Sequence, residues 1–210
     1  MCLIKQRANN PEQKALRKQQ ILDATRKRFS DLAYEDLNLN VIAADVGITK
    51  AALYRYFRNK ETLFLALFVE TLEELIHSAQ KMPNKLPLAR LMADTLIANP
   101  IYCKLNAILH TILERNLTVE EALQFKKTLL HLMHQYSQLL TQQAEQDLSQ
   151  AQALTLLMQV QQALIGVWHM THPVGAIAEV IESPPLDVFK RDFYNALLAH
   201  IETITQQIAP

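Results

Sequence analysis

Between Thr49 and Lys60 the chain sets Lys50, Tyr54, Arg55, Tyr56 and Lys60 close together, shortly after Gly47. Cationic and phenolic side chains at this density are equipped to meet a polyanion. A lysine donates to guanine O6 and N7, and a small side chain such as Ala51 packs on a thymine methyl. Tyrosine hydroxyls and lysine ammoniums reach phosphates, which sets register without reading sequence. Lys50 and Arg55 are therefore candidate base readers, and Tyr54, Tyr56 and Lys60 candidate phosphate contacts. Lys14, Arg17 and Lys18, upstream, extend the same backbone-contacting set, and Asn38 is a further candidate DNA contact. The same residues also fit a plain solvated face with half-buried tyrosines, and the order of the surrounding pattern is what favours nucleic acid.

That pattern is helical. Only three glycines occur in 210 residues, and apolar positions recur at the 3.6-residue period throughout, which predicts an all-α fold of about nine helices. Helix 1 is expected from about Glu12 to Leu32, with Ile21, Leu22, Phe29 and Leu32 on its inner face. Asn38 is an N-cap for a short second helix carrying Leu39, Ile42, Ala43 and Val46, and Gly47 stands where a left-handed residue ends it. Thr49 caps the third helix, in which Leu53 and Phe57, four apart, point into the core. Two short helices joined by a glycine turn are the parts of a helix-turn-helix, whose second helix enters the major groove. Asn59 caps helix 4, Thr118 and Glu121 form a capping box for helix 7, and Ser149 caps helix 8. A ninth helix is expected from Ser183–Pro184–Pro185 to about Ile208. The domains expected are 1–58 for DNA binding, with 1–12 a loose arm, and 59–210 for ligand binding and dimerisation.

Charge follows the same division. Residues 1–60 hold 12 Lys/Arg and 6 Asp/Glu, and residues 61–210 hold 9 and 15, so a basic front precedes an acidic remainder in a chain of zero net charge. Cys2 and Cys103 match no metal spacing and read as reduced thiols. His131/His134 and His169/His172 are spaced to share a helix face, yet no cysteine or carboxylate joins them in a recognised motif, so no metal and no cofactor is expected. Catalysis lacks a nucleophile elbow, a glycine-rich phosphate loop or an HExxH motif. No apolar run resembles a signal peptide or a membrane span, and a cytoplasmic protein with no membrane partner is expected.

In the acidic part, helix 8 is apolar on more than one side, with Leu154, Leu157, Met158, Leu164, Ile165 and Trp168 in one stripe. The last helix sets Leu186, Phe189, Phe193, Leu197, His200, Ile204 and Ile208 on one broad face. Such a pair can pack against its own copy as a four-helix bundle or simply close the monomer core. A pocket among helices 4 to 8 would draw on Phe68, Met92, Tyr102, Cys103, Leu109, His110, Met133, Tyr136, Trp168 and His169, each of which also fits plain core.

Residues 17–68 resemble the DNA-binding domain of tetracycline-repressor-like (TetR-family) regulators. The resemblance rests on "IL.A....F" in helix 1, "IA..VGI" at the turn and "LY.YF.NKE.L" into helix 4. Ala33, Ala51 and Arg55 depart from the family pattern. The resemblance implies a repressor that binds a palindromic operator in double-stranded DNA as a homodimer and leaves it when a small-molecule effector binds. It also implies that Thr49, Lys50, Ala51, Tyr54, Tyr56 and Lys60 touch DNA, and that helices 8 and 9 dimerise. The readings from other classes are an all-helical enzyme or small-molecule carrier with a vestigial DNA module, and an activator rather than a repressor.

Overall fold

The computed structural model describes residues 10–83, 85–145 and 147–207. Ten α-helices follow one another in order: α1 (Pro11–Asp31), α2 (Leu39–Asp45), α3 (Lys50–Leu53), α4 (Lys60–Gln80), α5 (Leu88–Ile97), α6 (Pro100–Ile108), α7 (Val119–Gln143), α8 (Gln150–Thr171), α9 (Gly175–Val180) and α10 (Phe193–Gln206). A π-helical turn (Leu109–Leu113) prolongs α6, and a 3-10 turn (Leu186–Phe189) precedes α10.

Local chemistry starts these helices where the sequence marks them. The side chains of Asn38, Thr49 and Ser149 accept from the backbone N–H of Asn40, Ala52 and Gln152, satisfying donors that a helix start leaves orphaned. Asn59 with Thr62, and Thr118 with Glu121, form reciprocal capping boxes. Gly47 takes φ 71°, a left-handed conformation in which an L side chain is strained, and so lets the chain turn from α2 into α3.

α1, α2 and α3 pack around Ile21, Phe29, Ile42, Leu53 and Phe57, all buried. α4 is shared between the two ends of the molecule. Its Phe64 meets Phe29 edge-on at 5.1 Å and Tyr34 at 4.8 Å, while Phe68, one turn on, faces Tyr102 at 5.3 Å and Phe125 at 6.0 Å. One continuous core thus runs from the three N-terminal helices into the bundle of α5 to α8 and α10.

Two expectations are corrected. Pro11 and Glu12 are the first residues of α1, capped by Asn10, rather than part of a loose arm; residues 1–9 of that arm, and Cys2 within it, lie outside the described residues. The last helix does not start at Pro184. Leu186 and Phe189 sit in the separate 3-10 turn, and α10 begins only after Asp192, whose carboxylate accepts from Asn195 N at 2.8 Å. An extended Asp cap outcompetes continued helix there, since it satisfies a start that Ser183 does not make. Ile208 lies outside the described residues.

Candidate nucleic-acid interface and effector cavity

The first site is the face presented by α3 and the turn after it. Leu53 (fully buried) and Phe57 anchor this segment to the core. With those two positions turned in, Lys50, Ala51, Tyr54 and Arg55 are turned out and exposed. Lys50 Nζ stands 5.8 Å from the Tyr54 ring centroid, so the cation and the phenol act as one donor surface. Tyr56 is half-buried against the core. Lys14 and Lys18 are exposed on α1, Lys18 with its ammonium 5.9 Å from the Phe57 ring centroid. Asn38 and Thr49 spend their side chains on caps.

Two expected phosphate contacts are engaged inside the protein instead. Arg17 is 3% exposed, and its Nη1 donates to the Val46 carbonyl at 2.9 Å, bracing α1 against the α2–α3 turn. Its position on α1 points it inward, where the turn carbonyl offers a partner and phosphate cannot reach. Lys60 donates to the Tyr34 carbonyl and lies 4.1 Å from the Tyr34 ring centroid. Burial lowers the Lys60 pKa, with the nearby carboxylates of Glu35, Glu61 and Asp36 opposing it.

Charged clasps hold this N-terminal unit together and bind it to the rest. Arg28 pairs both ways with Asp45 at 2.6 and 2.8 Å, tying α1 to α2. Arg26 of α1 reaches Glu70 at 2.8 Å and Glu74 at 2.5 Å on α4. Lys104 of α6 donates to the Phe29 and Leu32 carbonyls at 2.7 and 3.0 Å, gripping the C-terminal end of α1. Arg58 forms a two-pronged pair with Glu121 at 2.8 and 2.7 Å and also donates to the Asn116 carbonyl at 2.6 Å, linking the α3–α4 junction to the start of α7. Arg58, together with the Thr118 N–H that the same carboxylate caps, holds Glu121 down at a pKa of about 2. None of these clasps is legible locally, because the partners are far apart in sequence.

The second site is a cavity of about 40 Å³ enclosed by α4, α5, α6, α7 and α8. Of the ten expected pocket residues, Met92, Tyr102, Met133 and Tyr136 line it, and Phe68 packs behind Tyr102. Leu72, Leu96, Leu129, Leu157, Val160, Gln161 and Leu164 complete the wall and were not expected there, because ordinary helical periodicity does not distinguish a cavity wall from core. The remaining expected residues are elsewhere. Cys103 is buried with its thiol on the Leu96 carbonyl, burial raising its pKa to about 12, and Leu109 is fully buried core. His110 is exposed and paired with Glu114, at 3.0 Å. Trp168 stacks on His172 with centroids 3.8 Å apart, and His169 meets the Ala107 carbonyl at 3.1 Å.

The expected dimer surface is divided by the same packing. Leu197 is fully buried within the protomer, Leu157 lines the cavity, and Phe193 is wedged against Trp168 and His172 at 5.4 and 5.3 Å. Leu197 has no surface left for a second copy, whereas Leu157 and Phe193 remain half-buried while engaged within their own protomer. Met158, Phe189 and His200 are exposed, and Leu154, Ile165 and Ile204 are half-buried. Among the described residues no single helix is long and apolar enough to cross a membrane.

With that geometry in hand, two family models match the chain. The model for "Bacterial regulatory proteins, tetR family" covers residues 21–67, and that for "Tetracyclin repressor-like, C-terminal domain" covers 65–206. An HTH-type transcriptional repressor of Mycobacterium tuberculosis is 31% identical over 67 residues, 32% of this chain and 36% of that protein. An HTH-type transcriptional regulator of Bacillus subtilis is 28% identical over 114 residues, 51% of this chain and 60% of that one. The matches thus span between a third and three fifths of these relatives' lengths. Among solved structures, the fatty acid degradation regulator of Bacillus halodurans superposes with a TM-score of 0.52 at 16% identity, covering 94% of this chain and 96% of that one, a likeness of fold.

Proposed function

The chain belongs to the tetR family of bacterial regulatory proteins, and on that premise we propose that it is a transcriptional repressor that binds a palindromic operator as a homodimer and releases it when a small molecule enters the α4–α8 cavity. We assign residues 1–58 to DNA binding and 59–210 to effector binding and dimerisation. The observation that carries the reading is the exposed Lys50, Ala51, Tyr54 and Arg55 surface, set on the buried Leu53 and Phe57 behind the Thr49 cap. This is a rigid platform for reading base edges, with Lys14 and Lys18 available to flanking phosphates.

A two-fold operator needs two such platforms about 34–36 Å apart. The surface that supports pairing is narrower than the sequence implies: Leu154, Met158 and Ile165 on α8, His200 and Ile204 on α10, and Phe189 before it. Met158→Glu places a charge at a residue 48% exposed in the protomer, which folds regardless. Sedimentation should show the variant as monomer, with operator binding lost at concentrations where the wild type binds. A dimeric Met158→Glu protein with full affinity would rule out this interface.

Effector and DNA are linked through the clasps. A molecule that spreads α6 from α7 shifts Lys104 on the end of α1 and Arg58 at the α3–α4 junction. Any such shift must come from a difference in effector affinity between the two arrangements. The test of the whole reading is a genome-wide footprint followed by mobility shift on the recovered sites. Enrichment of a symmetric sequence supports it, and the absence of any sequence preference refutes it.

A further inference from the structure

We propose that the cavity selects an uncharged, mainly apolar molecule carrying a single oxygen function, and that the Tyr136 hydroxyl is its hydrogen-bond partner. This rests on the cavity being the effector site. Three observations carry it.

The first is an orphan. Tyr136 is 5% exposed, lines the cavity, and its hydroxyl is buried without a hydrogen-bond partner among the described residues. Its neighbour Thr95 gives its one hydroxyl proton to the Leu91 carbonyl at 2.6 Å and so has none to donate to the phenol. Leaving a buried polar group unpaired is costly, and such groups persist where something else supplies the partner.

The second is that the amide donors beside it already have partners. Gln161 Nε2 donates to Asn106 Oδ1 at 3.1 Å, and Asn106 Nδ2 donates to the Tyr102 carbonyl at 3.2 Å. The third is the absence of charge: among the described residues none that lines the cavity is a carboxylate, an ammonium, a guanidinium or an imidazole. An ionised carboxylate, phosphate or ammonium would be taken out of water with no countercharge, whereas a neutral molecule loses little. Burial pushes the Tyr136 phenol well above its ordinary range, so it remains a neutral donor and acceptor at any physiological pH.

At about 40 Å³ the cavity holds roughly one water molecule, so a ligand must enlarge it. Met92 and Met133 on its walls are the unbranched side chains able to do so by changing rotamer.

The test uses phenol, toluene and benzoate at neutral pH. Phenol and toluene are near in shape and differ by the hydroxyl, and benzoate is charged. Calorimetry and thermal unfolding of the full chain should show both neutral rings binding, phenol about fivefold to tenfold tighter, and benzoate not binding. Tyr136→Phe should abolish the preference for phenol, leave toluene unchanged, and unfold at a temperature no lower than wild type, since it removes an unpaired group. Leu157→Trp, at the half-buried rim, should block both neutral rings. Equal binding of phenol and toluene, benzoate binding as tightly as phenol, or a Tyr136→Phe variant less stable than wild type would overturn the inference while leaving the effector site in place. If neither neutral ring binds, or Leu157→Trp leaves their binding intact, the assignment of the cavity as effector site falls with it.

Discussion

Replacing Arg17 with methionine separates two roles that sequence alone assigns to one residue. A lysine- and arginine-rich helix front reads as phosphate-contacting, yet Arg17 is 3% exposed with Nη1 on the Val46 carbonyl at 2.9 Å. Methionine keeps most of the apolar stem, so the change isolates the guanidinium. A hydrogen bond from a charged donor contributes about 1.5–3 kcal/mol, and the Val46 carbonyl loses this partner at the turn into α3. For a chain of this length that loss corresponds to a fall in melting temperature of about 3–12 °C. Binding to DNA fragments at several salt concentrations supplies the second readout. Each phosphate neutralised adds about 0.9 to the slope of log K against log salt. Arg17→Met should leave that slope unchanged, whereas Lys18→Met, from an exposed neighbour, should reduce it by about 0.9. A variant that keeps its melting temperature but loses about 0.9 from the slope would show Arg17 on a phosphate and refute the bracing role.

Lys50→Ala should relax base preference at its operator position, costing about 1–3 kcal/mol on specific sites and far less on random DNA, as competition binding would measure. Phe64→Ala empties the junction with Phe29 and Tyr34 and should destabilise the fold by about 3–5 kcal/mol in urea titration. Glu121 titrates at about 2 in the folded chain against an ordinary 4.5, so its stabilising contribution is complete above the ordinary value and is lost as pH falls towards 2. The stability difference between wild type and Glu121→Gln should therefore be flat around neutrality and shrink between pH 4.5 and 2. A difference that changes between pH 6 and 8 instead would assign the effect to another group.

The sequence by itself determined the helical class, most helix starts and the exposure of Lys50, Ala51, Tyr54 and Arg55. Those features rest on interactions within one or two turns: Thr49 with Ala52, Thr118 with Glu121, and Leu53 with Phe57 setting which neighbours face outward. The family resemblance was legible for the same reason, its matching residues being crowded into one stretch. Tertiary structure alone decided where Arg17 and Lys60 spend their charge, and which apolar residues wall a cavity rather than fill a core. It also decided that Leu197 faces inward and that the final helix starts at Phe193, behind the Asp192 cap. These outcomes depend on partners distant along the chain: Lys104 on the Phe29 carbonyl 75 residues away, Arg58 on Glu121 63 away, and Tyr194 on Asp94 100 away. Helical periodicity marks a buried stripe but not what buries it, because the neighbour opposite is chosen by how whole helices pack.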